Sequence, residues 1–154
     1  MTMTMTQALV FYLDTANHVA LAINSPNRAW FQEPLGTETI AMHPQSRLAA
    51  TLGPNGPVAF FQEASGDICG IEVSRPGMVE FVYVPGMPTK AVPGTPLGVA
   101  IGNDQVHLLY VHQDTSIHVS VKDGDHWTGA YHCRQLAGWG GYGLLTLTLT
   151  GADR

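Results

Sequence analysis

Hydrophobic positions along this chain fall in short alternating runs divided by glycine, proline and asparagine turns, the period of half-buried strands rather than of helices. Leu48-Ala-Ala-Thr-Leu-Gly53 reads as a short strand closed by a glycine turn. The same message returns at Leu97-Gly-Val-Ala-Ile-Gly102 and at Leu145-Thr-Leu-Thr-Leu-Thr-Gly151, so Gly53, Gly102 and Gly151 stand 49 residues apart. An apolar run with aromatics follows each turn in register: Val10-Phe11-Tyr12, Ala59-Phe60-Phe61 and Leu108-Leu109-Tyr110. A third strand is expected at Val19 to Ile23, Ile68 to Val73 and Ile117 to Val121. Several short strands per unit, at a period in the range of propeller blades, predict an all-β chain. The expected fold is one domain over 1–154, a β-propeller of three four-stranded blades at about 7–52, 53–101 and 102–150.

The ends carry a further expectation. The first unit begins at what is the second strand elsewhere, and a spare strand lies at Leu144 to Thr150. Three blades are too few for a ring, since propellers have about 4–8. The pattern therefore predicts that the C-terminal strand completes the first blade of another copy, and that two chains close to six blades as a head-to-tail homodimer. The competing reading lets Met1 to Thr6 supply the missing strand. Under the 49-residue register Thr2 then takes the place of Leu149 and Met3 that of Thr150, which is the wrong inward phase.

Composition narrows the classes. Only 12% of residues are charged and 45% are hydrophobic, with 17 glycines and 10 prolines, which suits a β-rich protein full of tight turns. A net charge of −5 without a Lys/Arg cluster argues against a nucleic-acid partner. No apolar run approaches the roughly 18 residues of a membrane span, and the N-terminus lacks the basic and apolar regions of a secretory leader. No membrane partner and a cytoplasmic location are expected. Cys69 and Cys133 sit at non-equivalent positions of the repeat and read as reduced, structural thiols. There is no G-x-S-x-G elbow, phosphate loop or H-E-x-x-H motif. The glycine-rich stretch from Gly138 to Gly143 reads as an inter-blade loop, with Trp139 and Tyr142 as lid aromatics. The seven histidines show no metal-ligand spacing, and His107 and His118, on neighbouring strands, have no evident third ligand. Neither a metal nor a cofactor is expected.

The third repeat resembles a known family. Thr95-Pro-Leu-Gly-Val-Ala-Ile-Gly-Asn-Asp-Gln-Val-His-Leu-Leu-Tyr110, then Gln113-Asp114, Ile117 and Lys122-Asp-Gly-Asp-His-Trp127-Thr-Gly129, is similar to blades of the fungal fucose-specific lectins. Their pattern is close to T-P-L-x-V, V-R-x-Y-Y-Q-D, N-I-x-E and D-G-x-W. The resemblance implies a six-bladed propeller that holds its sugar between blades by an arginine of the second strand, a glutamate of the third and an aromatic of the next blade. Here the arginine position carries Leu9, Val58 and His107, and the glutamate position carries Leu21, Gly70 and Val119. Side chains without hydroxyl-bonding groups cannot rebuild that grip, so fucose recognition in the family manner is not expected.

The candidate site is placed around the third repeat. His107 is the candidate catalytic group, because imidazole can donate a hydrogen bond or change protonation near neutral pH. His118, Trp127, Tyr110, Tyr131 and Trp30 are candidate ligand-binding groups, Trp127 standing at the D-G-x-W position. Two function classes follow. One is a pocket for a largely apolar small molecule, extending to a cofactor-independent cyclase of natural-product biosynthesis (pericyclic or Diels–Alder-type), which the resemblance to lectin-like biosynthetic propellers suggests. Such chemistry needs a dry, shaped pocket and one or two donors rather than a nucleophile. The other is a carbohydrate-binding lectin of altered, non-fucose or weak fucose specificity.

Overall fold

The computed structural model describes residues 8–25, 28–33, 35, 40–75, 78–83, 91–124 and 126–135. The first blade comprises β1 (Ala8–Leu13), β2 (Val19–Ser25) and β3 (Arg28–Glu33). The second comprises β4 (Ala49–Gly53), β5 (Gly56–Gln62), β6 (Ile68–Arg75) and β7 (Met78–Tyr83), and the third β8 (Gly98–Gly102), β9 (Gln105–Val111), β10 (Ser116–Asp123) and β11 (His126–Gln135). Each blade is an antiparallel meander with neighbours in chain order. Among the described residues the first blade has three strands, and no helix is long and apolar enough to cross a membrane. The expected strands at Leu144 to Thr150 and Met1 to Thr6, and the loop carrying Trp139 and Tyr142, lie outside the described residues.

The 49-residue period is written in the backbone hydrogen bonds. At the turn after the second strand, the amides of Asn17, Gly66 and Thr115 bond to the carbonyls of Asp14, Glu63 and His112. The amides of Asp14, Glu63 and His112 in turn bond to the carbonyls of His18, Asp67 and Ser116. The corner residue has positive φ in all three blades, at Asn17, Gly66 and Thr115 (64°, 98° and 70°). Asparagine and glycine accept that conformation readily, whereas threonine, branched at Cβ, is strained in it. Thr115→Asn should therefore raise stability by about 1 kcal/mol. Urea denaturation would show this as a higher midpoint at unchanged slope, and a midpoint equal to or below that of the parent chain would refute it.

The hairpins between the first and second strands differ in an instructive way. Asn103 and Asp104 both have positive φ (52° and 60°), the two-residue turn that matches strand twist. Pro54 cannot take positive φ, so the turn through Pro54 and Asn55 must be of another type. Gly56 absorbs the mismatch with φ 134°.

Strand alternation assigns two faces to each blade. Leu9, Phe11, Leu21 and Ile23 of the first blade pack against Phe61, Cys69, Ile71 and Val73 of the second. Val58 and Phe60, on the other side of the second blade, pack against Val106, Leu108 and Tyr110 of the third. Phe60, Phe61, Leu21, Ile71 and Leu108 have no exposed surface, so the inter-blade seams are the hydrophobic core.

Candidate functional site

The pairing of β9 with its neighbours divides the sequence-derived constellation. His107 lies opposite Ala100 and Val121, while Tyr110 lies opposite His118, with no irregularity between β9 and β8 or β10. Positions 107 and 110 differ in parity and project to opposite faces. Tyr110 and His118 look toward the second blade, and His107 looks away from it. The half-buried imidazole of His107 is held below the ordinary histidine range by desolvation, so it is neutral near pH 7. Trp30 is 54% exposed on the first blade, apart from both groups. Tyr131 pairs with Val119 in register.

Tyr110 and His118 belong to a polar chain that the sequence did not reveal. Ser116, fully buried, donates its hydroxyl proton to Asp114 Oδ1 in a short bond. The Ser116 Oγ thus accepts from His118 Nε2 at 2.8 Å, which fixes the tautomer and leaves His118 Nδ1 to accept from the Tyr110 hydroxyl at 3.3 Å. The bonds from Ser116 hold the Asp114 carboxyl far below the usual carboxylate range. Burial pushes the Tyr110 phenol up to about 12. His112 Nδ1 lies 2.9 Å from Asp114 Oδ1 and 3.1 Å from the Asp114 amide nitrogen, two contacts that demand opposite protonation of the same atom. The shorter, charge-assisted contact is the better assignment, with Nδ1–H donating to the carboxylate.

The ligand atoms of His112, Asp114 and His118 lie within 4.8 Å of one another, a different trio from any that the spacing suggested. The two imidazoles are stacked, with centroids 4.6 Å apart and planes 7° from parallel. A metal bonds in the plane of each imidazole it takes, and stacked rings share no plane. As arranged, the trio therefore does not converge on one ion.

Trp127 lies opposite Lys122 and meets Phe60 edge-on, with centroids 5.9 Å apart at 84°. It is inter-blade packing. Among the described residues its buried Nε1–H has no hydrogen-bond partner. Beside it, Lys122 Nζ of the third blade approaches Glu72 Oε2 of the second at 3.4 Å, with both side chains less than one-tenth exposed. Among the described residues two clefts open along the seams. One, of about 280 Å³, is lined by Leu9, Phe11, Ala50, Thr51, Leu52 and Pro57. The other, of about 250 Å³, is edged by Asn55, Asp104, Lys122 and Asp123.

No family model and no curated protein sequence matches this chain. Solved structures do. A triple arginine-to-alanine mutant of AofleA from Arthrobotrys oligospora aligns with a TM-score of 0.65 at 15% identity, covering 84% of this chain and 39% of that one. The fungal lectin of Aleuria aurantia, described as a six-bladed β-propeller with a novel fucose recognition mode, aligns at 0.64 and 21% identity, covering 86% and 44%. An Asn-to-Gln mutant of that lectin in complex with α-methyl-L-fucoside aligns at 0.62 and 19%, covering 87% and 48%. The chain thus has the lectin-like β-propeller fold and spans less than half the length of each of these proteins.

Proposed function

We propose that this chain is a lectin-like propeller unit that binds a small, largely apolar molecule on the face of its third blade turned away from the second, beside His107. One observation carries this reading. Of the three position pairs at which the related lectins are expected to grip a ligand, Val58 and Gly70 of the second are sealed in the core, and in the first Leu21 has no exposed surface while the half-buried Leu9 faces the apolar cleft beside the second blade. The third pair, His107 and Val119, is only half-buried. It offers one neutral imidazole among Leu109, Val119 and Val121, an apolar wall with a single donor or acceptor. Cofactor-independent cyclisation, of the pericyclic or Diels–Alder type, is the reaction such a site would promote, by holding two reacting ends together while the imidazole steadies developing charge.

Titration with the neutral dye Nile red tests the binding step. Saturable fluorescence enhancement is expected for the parent chain, weakened about 10-fold in His107→Arg, as for a charge set into an apolar site, and kept in His107→Phe. Equal responses from all three proteins would reject the site. If a tethered diene–dienophile is cyclised, His107→Ala should slow it by about 10²–10⁴-fold where the imidazole moves a proton, and by less where it only orients. A second reading, a lectin of altered specificity, is favoured by the polar cleft at Lys122, Asp104 and Asp123, whose groups suit hydroxyls. Calorimetric heat with monosaccharides that disappears in Asp123→Asn would support it over the first.

A further inference from the structure

The apolar cleft between the first and second blades is better explained by the repeat than by a small ligand. At the seam between the second and third blades, the innermost strands β4 and β8 lie against each other, and Val99 and Ile101 pack onto the core that contains Ala49. The residues 49 positions earlier, Ala50 and Leu52, point in the same sense toward the first blade. Among the described residues nothing comparable covers them: Leu52 is 66% exposed, whereas Ile101 is half-buried. Among the described residues the first blade lacks the strand equivalent to β4 and β8, its edge is β1, and the cleft lies where that strand belongs, between Leu9 and Phe11 on one side and Ala50 and Leu52 on the other.

We infer that this cleft is the seat of a β-strand formed by residues 147–151 of a second copy of this chain. Residues 147–151 stand 49 positions after β8, as β8 stands after β4. The pairings Thr51 with Val58 and Gly98 with Leu109 transfer directly, giving Leu147 opposite Phe11, Thr148 opposite Val10, Leu149 opposite Leu9 and Thr150 opposite Ala8. Directly opposed residues share a face. Leu147 and Leu149 therefore fill the cleft beside Leu9 and Phe11 and cover Leu52, while the alternating threonines turn away. The donor is a second copy because each connection of this kind advances by one blade. Glu33 to Ala49 and Tyr83 to Gly98 lead from one blade to the next, and the same step taken after Gln135 would reach a fourth position. The first blade of another copy supplies the remaining strands there.

Sedimentation equilibrium of the full chain should give twice the 16.5 kDa protomer mass. Leu52→Asp alters a side chain that is exposed in the single chain, so it should leave the β-sheet circular dichroism intact while shifting the protein to monomer. Under oxidation, Leu9→Cys with Leu149→Cys should form a covalent dimer on a non-reducing gel, and the out-of-register pair Leu9→Cys with Thr148→Cys should not. The parent chain is the control for the native thiols, of which Cys69 is buried with its pKa pushed up to about 12. A monomeric parent chain, a Leu52→Asp protein that remains dimeric, or a Leu9–Leu149 disulfide that closes within one chain would each overturn the inference.

Discussion

Glu72→Ala should destabilise the chain by about 3–5 kcal/mol, because it strips the counter-charge from an ammonium buried between two blades. Lys122 and Glu72 face each other across the second seam with little access to water, so the loss is not one of attraction alone. The remaining cation has to stay desolvated or drag the blades apart. Glu72→Leu combined with Lys122→Met removes both charges and keeps volume, and it should recover most of the loss, since a buried pair is roughly matched by a well-packed apolar one. Thermal melting of the two variants checks this. Equal destabilisation of both would mean that the pair matters by shape rather than by charge.

A loss of similar size is expected at Gly56. A Cβ added there would collide with the carbonyl oxygen of Val73, on backbone that cannot swing aside, and φ is 134°. Gly56→Ala combines overpacking and backbone strain, each of about 1–3 kcal/mol. Changing Pro54 to Asn and Asn55 to Gly in the same chain would install the two-residue turn that suits strand twist and relieve the demand on position 56. The triple variant should melt well above Gly56→Ala alone. If it does not, the turn is not what compels the glycine.

The sequence told most about the backbone and least about what crosses a seam. Asn17 and Gly66 advertise a left-handed corner, and the 49-residue step extends it to Thr115, which propensity alone would never have placed there. The grouping of His107 with His118, Tyr110 and Trp127 relied on nearness along the chain and on neighbouring strands. The parity of β9, already present in the numbering, separates His107 from Tyr110. The Glu72–Lys122 pair could not be read, because it joins different blades at positions one residue off the period. The Tyr110–His118–Ser116–Asp114 chain depends on a turn tight enough to bring alternate side chains together, which spacing does not reveal.

The three corner turns are closed by the same main-chain bonds, and in each a side chain, Asp14, Ser65 or Asp114, accepts a bond from a turn amide. Interchangeable frames carry a hazard, because strands from different repeats can pair with one another during folding and trap the chain in a wrong order. What distinguishes one blade from the next is the lining of its seams: an aliphatic and aromatic set at the first, an ion pair and a tryptophan at the second. Divergence among the repeats thus acts as an address for each blade. A chain rebuilt from three copies of any single blade would keep every turn and lose the instruction that says which blade belongs beside which.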